Sequence, residues 1–148
     1  MNTLKEFNEY VKQGIVKKQA KDNSRAESLI KESERRLVSL KVYLKKIGLN
    51  DENANDIIEN CYNIIIGFIR SKMLLQGFNS SGTGAHEAEI SYLRELNFSE
   101  TEISFANQLR YFRNGIMYYG KQFDKEYANK VMNFLSDFYP KIKNCLKI

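Results

Sequence analysis

Between Ile57 and Met73 the apolar residues Ile57, Ile58, Cys61, Ile64, Ile65, Phe68, Ile69 and Met73 recur at three- and four-residue steps. They cover much of the circumference of one helix, and a helix apolar nearly all round must be enclosed by others. The segment, opened by Asp51 and reaching about Gln76, is therefore expected to be the central helix of an all-α fold. Little in the sequence interrupts long helices. Pro140 is the one proline in 148 residues, the glycines fall mostly between periodic segments, and strand-like alternation is not sustained over any long run. With 43% hydrophobic residues at this length, residues 1–148 read as a single domain around one core.

The rest of the periodicity predicts five further helices. The first runs from near Leu4 to Gln19. The second starts at Asp22 or Ser24, where Ser24-Arg25-Ala26-Glu27 has capping-box spacing; it is expected to bury Leu29, Leu37, Leu40, Tyr43, Leu44 and Ile47 and to close at Gly48. After the central helix, the run from Gly77 to Gly84 lacks both the Gly-Lys-Ser/Thr ending of a phosphate loop and a preceding strand, so it is expected to be a flexible surface loop. A shorter helix follows from about Ala85 to Leu96. Ser99-Glu100-Thr101-Glu102 is a second capping box, opening a helix that Gly120 ends. The last helix starts near Asp124, repeats Tyr127, Val131, Phe134, Leu135, Phe138, Ile142 and Cys145 at helical steps, and is expected to kink at Pro140. Connections this short favour an antiparallel bundle of five to six helices.

Charge is uneven along the chain. Residues 1–50 hold 12 Lys/Arg against 6 Asp/Glu, and residues 51–148 hold 11 against 12, so the net +5 originates in the first third. Lys12, Lys17, Lys18, Lys21, Arg25, Lys31, Arg35 and Arg36 are candidates for a basic surface, interrupted by Glu27, Glu32 and Glu34. Cys61 and Cys145 stand alone in apolar surroundings, without metal-site spacing or disulfide density, and read as buried thiols. No cofactor or metal motif is present in the sequence. The N-terminal residues lack the apolar core of a signal peptide, and the longest apolar run, Ile64 to Ile69, is far too short to span a bilayer; a cytoplasmic location without membrane association is expected.

The stretch with the most chemical content is Arg110-Tyr111-Phe112-Arg113-Asn114-Gly115-Ile116-Met117-Tyr118-Tyr119-Gly120, which sets two arginines among apolar residues of the fifth helix. At about 100° per residue, Arg113 shares a side with Leu109, Arg110, Ile116 and Met117. A partly desolvated guanidinium requires a carboxylate, an anion or another subunit.

Arg113-Asn114 in this helical setting, together with Ser24 to Tyr43, Asn50 to Phe78, His86-Glu87-Ala88-Glu89-Ile90 and the closing helix, resembles the HEPN family (higher eukaryotes and prokaryotes nucleotide-binding domain). The hallmark of that family is an arginine, often followed by asparagine, then four to six residues, then histidine. Here no histidine follows: the next positions run from Gly115 to Gly120. The resemblance implies an HEPN-like fold, a homodimer whose paired arginine helices form a composite cleft, and RNA or nucleotide-phosphate binding through Arg110, Arg113, Asn114 and Tyr119. It also implies either a metal-independent ribonuclease acting as a toxin, or partnership with a separate minimal nucleotidyltransferase in a toxin–antitoxin pair.

Metal-free RNA cleavage needs a base for the 2′-hydroxyl proton, a cation for the phosphorane and an acid for the leaving oxygen. Arg113 suits the second role, with Asn114 orienting it. For proton transfer the candidates are His86, the sole histidine, and Tyr118, whose ordinary pKa of about 10 makes it a poor base. In a regular helix Tyr118 also points about 140° away from Arg113. Reduced or absent ribonuclease activity is the expectation, with Tyr118 and Tyr119 better suited to stacking on bases or closing an interface.

Overall fold

The computed structural model describes residues 3–147. It is an all-α helical bundle: α1 (Phe7–Lys12), α2 (Asn23–Lys46), α3 (Ala54–Leu75), α4 (Ala85–Ser91), α5 (Glu100–Tyr119) and α6 (Lys125–Cys145), with one 3-10 turn (Tyr92–Arg94) continuing α4. Two three-residue strands, β1 (Val16–Lys18) and β2 (Phe78–Ser80), complete it. No helix among the described residues is long and apolar enough to cross a membrane.

The central position of α3 follows from its composition. All eight apolar residues singled out between Ile57 and Met73 are buried, and α2, α4, α5 and α6 all pack on this helix. Burial lifts the Cys61 thiol to about 12, which leaves it protonated and inert, while Cys145 is only half-buried. Close approach of α2 depends on small residues. Ala26 and Ser33 are buried there, and a Cβ added to Gly67 of α3 would stand 2.1 Å from Ser33 Oγ.

The expectations for the first helix and for the loop after the central helix are both corrected by one feature. The first helix ends at Lys12 rather than near Gln19, because Gly14 turns the chain at φ 78° and Val16–Lys18 then pairs antiparallel with Phe78–Ser80. The glycine-rich segment after α3 is correspondingly pinned, with Gln19 N–H donating to the Gly77 carbonyl at 2.9 Å. Three residue pairs are too few to show a period of two, and of β1 only Val16 turns inward. Gly77 itself is required: its φ is 82°, and a Cβ would lie 2.7 Å from the Gln19 carbonyl oxygen.

Helix ends follow their capping residues. Asp22, not Ser24, caps α2 by accepting from Arg25 N–H at 3.0 Å. Ser99 and Glu102 form the reciprocal capping box of α5, Gly120 ends that helix at φ 63°, and Asp124 caps α6. The buried side of α2 is Ala26, Ser33, Leu37 and Leu40, whereas Tyr43 and Ile47 are exposed. Tyr43 serves the following turn, where its hydroxyl accepts from the Asn53 amide at 3.1 Å. Helix α6 continues through Pro140, which lies on its exposed side.

Gly67→Ala is expected to destabilise the protein by about 1–3 kcal/mol through overpacking against Ser33. Adding Ser33→Ala removes the obstructing oxygen, so that the Gly67→Ala change then contributes only its better helix propensity. A urea-denaturation double-mutant cycle should therefore find the double variant at least as stable as the parent. A double variant as unstable as Gly67→Ala would contradict the packing.

Candidate functional site

Arg110 and Arg113 lie one helical turn apart on α5, on the side turned toward α3 and α4. The Arg113 guanidinium carbon sits 5.4 Å from the centroid of the Tyr62 ring on α3, and one of its terminal nitrogens is 3.7 Å from Glu59 Oε1 on the same helix as Tyr62. Arg110 donates from Nε to Asn107 Oδ1 at 3.0 Å and approaches Glu87 Oε1 of α4 at 3.8 Å. Both side chains are largely withdrawn from solvent, at 12% exposure for Arg110 and 16% for Arg113.

These ion pairs are too long to be hydrogen bonds. Arg113 Nε is buried and, among the described residues, has no hydrogen-bond partner. An unsatisfied buried donor costs about 1–3 kcal/mol, so the guanidinium is positioned with one donor left unpaired among the described residues. Nε itself is enclosed, so only the 16% of the Arg113 side chain that stays exposed is open to an anion.

His86 joins this cluster through α3. The Tyr62 hydroxyl and His86 Nδ1 are hydrogen-bonded at 2.9 Å, with the two rings stacked at a centroid separation of 5.9 Å. Burial first, and then the positive field of Arg70, Arg113 and Arg110, brings the His86 pKa down to about 4. Burial pushes the Tyr62 phenol upward. At neutral pH both groups are therefore uncharged. If the phenol donates to Nδ1, His86 presents Nε2–H as a donor; in the other tautomer Nδ1–H donates to the phenol and Nε2 is left as an acceptor.

Behind the histidine, the fully buried Glu89 accepts from Arg70 at both carboxylate oxygens, from Nε and from a terminal nitrogen, the latter at 3.2 Å. Burial raises the Glu89 pKa despite the stabilising bonds from Arg70 and Ser80. His86 Nδ1 stands 3.9 Å from Glu89 Oε1. Among the described residues no group of His, Cys, Asp and Glu side chains is arranged to hold a metal ion.

Of the residues singled out in the sequence, the fold brings Arg110, Arg113 and His86 together around Tyr62. Asn114, Tyr118 and Tyr119 fall elsewhere: they line a separate cavity with Tyr111, Gly115 and the segment after Gly120. Met117 is exposed rather than packed beside Arg113. Sequence reasoning passed over Tyr62, Glu59 and Arg70. Their signal was the presence of polar groups in an otherwise apolar helix, with Glu59 and Tyr62 at a three-residue step. The N-terminal basic surface is partly neutralised, since Arg35 and Arg36 both pair with Glu32 and Lys12 approaches Glu9. The site and fold thus define a helical bundle with an arginine-lined, partly buried polar face. No family model matches this chain, and no curated protein sequence matches it.

A proton-detected NMR titration of His86 should show a midpoint near 4, and Arg113→Ala should raise it by removing a nearby positive charge. A parent midpoint at the ordinary value of about 6.5 would contradict the arrangement. Because the folded chain holds His86 neutral, its contribution to stability is complete above about pH 6.5 and is lost as pH falls toward 4. Glu89, raised by burial, acts oppositely: its contribution is present below its ordinary pKa and is lost as pH rises through the folded one.

Proposed function

We propose that the protein is an HEPN-like module that binds RNA or a nucleotide phosphate through Arg110 and Arg113, with reduced or absent ribonuclease activity. The observation that carries this reading is the Arg113 guanidinium, withdrawn from solvent, held only at 3.7 Å by Glu59 and with its Nε unpaired among the described residues. A structural arginine would be expected to close such contacts with short, bidentate bonds, as Arg70 does with Glu89. Neutral His86 adds a donor in its Nε2–H tautomer without adding charge. The homodimer belongs to the same reading: the C-terminal half of α5 presents exposed Met117, Tyr118 and Tyr119, which suit the wall of a composite cleft.

A second reading, a metal-independent ribonuclease, is favoured by one contact. Tyr62 links the Arg113 cation to His86, so a titratable group does stand beside the arginine despite the missing histidine on α5. In the tautomer that leaves Nε2 unprotonated, His86 would accept the 2′-hydroxyl proton while Arg113 stabilises the charged phosphorane. Its low pKa weakens it as a base.

Fluorescence anisotropy with a labelled single-stranded RNA tests the binding reading. Arg113→Ala and Arg110→Ala should each weaken binding about tenfold or more while the thermal midpoint stays close to the parent. The slope of log affinity against log salt should become shallower by about 0.7 per lost phosphate contact. Unchanged affinity in both variants would reject the site. Cleavage of RNA in the presence of chelator, abolished by His86→Ala in a folded variant, would replace the binding-only assignment with the nuclease.

A further inference from the structure

The second half of α5 carries a cavity of about 550 Å³ that does not include either arginine. Tyr111, Asn114, Gly115 and Tyr118 share one helix face at three- and four-residue spacings, and Lys121, Gln122 and Phe123 close the opposite wall. Gly115 lies between Tyr111 and Tyr118 on this face, and the Lys121 stem packs on it: a Cβ there would stand 3.3 Å from Lys121 Cδ.

The opposite wall is fixed rather than loose. Asn55 donates to the Lys121 carbonyl at 2.8 Å and accepts from Phe123 N–H at 2.9 Å, and Gln122 donates to the Asp51 carbonyl at 3.0 Å. Phe123 is packed on Phe112 with ring centroids 4.9 Å apart. The 121–123 wall therefore exists before any ligand arrives, and the volume falls in the range of about 300–1,000 Å³ typical of small-molecule sites.

The lining has three kinds of chemistry. Tyr111, Tyr118 and Tyr119 keep much of their ring surface exposed to solvent, the last two at 73% and 80%. The Asn114 amide and the Lys121 ammonium have no side-chain partner among the described residues. Flat π-faces, a paired donor and acceptor, and an unpaired cation at the rim match the face, the edge and the phosphate of a nucleotide. An apolar peptide would leave the amide and the ammonium unused.

We propose that this hollow is a nucleobase-binding subsite: a purine stacks on the tyrosine faces, Asn114 reads its edge, and Lys121 meets the phosphate that follows. The subsite extends the phosphate-binding reading of the Arg110–Arg113 face to a base-recognising one, and rests on that reading only for a ligand long enough to touch both. Base recognition itself stands on the cavity alone. Asn114, Tyr118 and Tyr119 then act together, though on a different side of α5 from Arg113.

Adenosine, which has no phosphate, is the probe. In an amide-resolved NMR titration at millimolar adenosine, shifts should concentrate in residues 111–123. They should weaken about tenfold in Tyr118→Ala and in Asn114→Ala, both of which alter side chains outside the core. Arg113→Ala should leave adenosine binding within about twofold of the parent while it weakens RNA, so loss of the phosphate face and loss of the base subsite are read separately. Gly115→Ala, which displaces the Lys121 stem packed on that position, should also weaken adenosine. Absence of shifts in a folded parent, or shifts clustered around Arg113 and His86 instead, would overturn the proposal. So would a sedimentation result in which Tyr119→Glu converts a dimer into a monomer and adenosine binds neither form, since the hollow would then serve to seat a second copy.

Discussion

A helix as apolar as α3 cannot face water on any broad side, and the bundle is arranged to enclose it. The few polar groups that interrupt this helix are consequently forced into contact with whatever packs over them. Tyr62 is buried with its hydroxyl on His86 of α4 and its ring beneath Arg113 of α5. One residue thereby ties three helices together and places a histidine and an arginine in a common environment of low polarity, where charge is expensive. The imidazole responds by staying neutral, and the arginine keeps one buried donor unpaired among the described residues.

The two sides of α5 divide the chemistry of its sequence. The arginine side is anchored by the packing of Leu109 and Ala106 into the core, so its geometry is inherited from α3. The side around Gly115 depends instead on the turn after Gly120, whose backbone is held by Asn55 in the first turn of α3 and whose Gln122 side chain donates to Asp51 just before that helix. Both candidate binding surfaces are thus positioned by the same central helix, one by its middle and one by its start. Their separation around α5 follows from helical periodicity: adjacent residues such as Arg113 and Asn114 diverge by about 100°.

Most of the architecture was legible because it depends on local chemistry. The apolar sweep of α3, the Ser99–Glu102 capping box, the Asp124 cap and the Gly120 stop are all written in consecutive residues and appear where their spacing requires. The β1–β2 ribbon was not legible, because each strand is three residues long and the whole of α2 and α3 separates the partners along the chain. On α2, Ile47 continues the seven-residue repeat of Ala26, Ser33 and Leu40 but stands at the C-cap, and Tyr43 reaches the following turn, so the two are exposed although the periodicity places them with the buried side. At the site, Arg110, Arg113 and His86 could be nominated by residue type. That Tyr62 would connect them, and that Asn114 would face away, depended on how the helices pack, which no spacing along one of them encodes.

The central claim is that the α5 arginines are held for an anion, and His86 reports on their field. Its midpoint can be followed by NMR in sulfate, a phosphate-like dianion, and in chloride at matched ionic strength. An anion seated on Arg110 and Arg113 would offset part of the positive field that depresses the histidine, so the midpoint should rise from about 4 in sulfate relative to chloride. Identical midpoints in the two salts would contradict the claim and leave the arginines as parts of the scaffold.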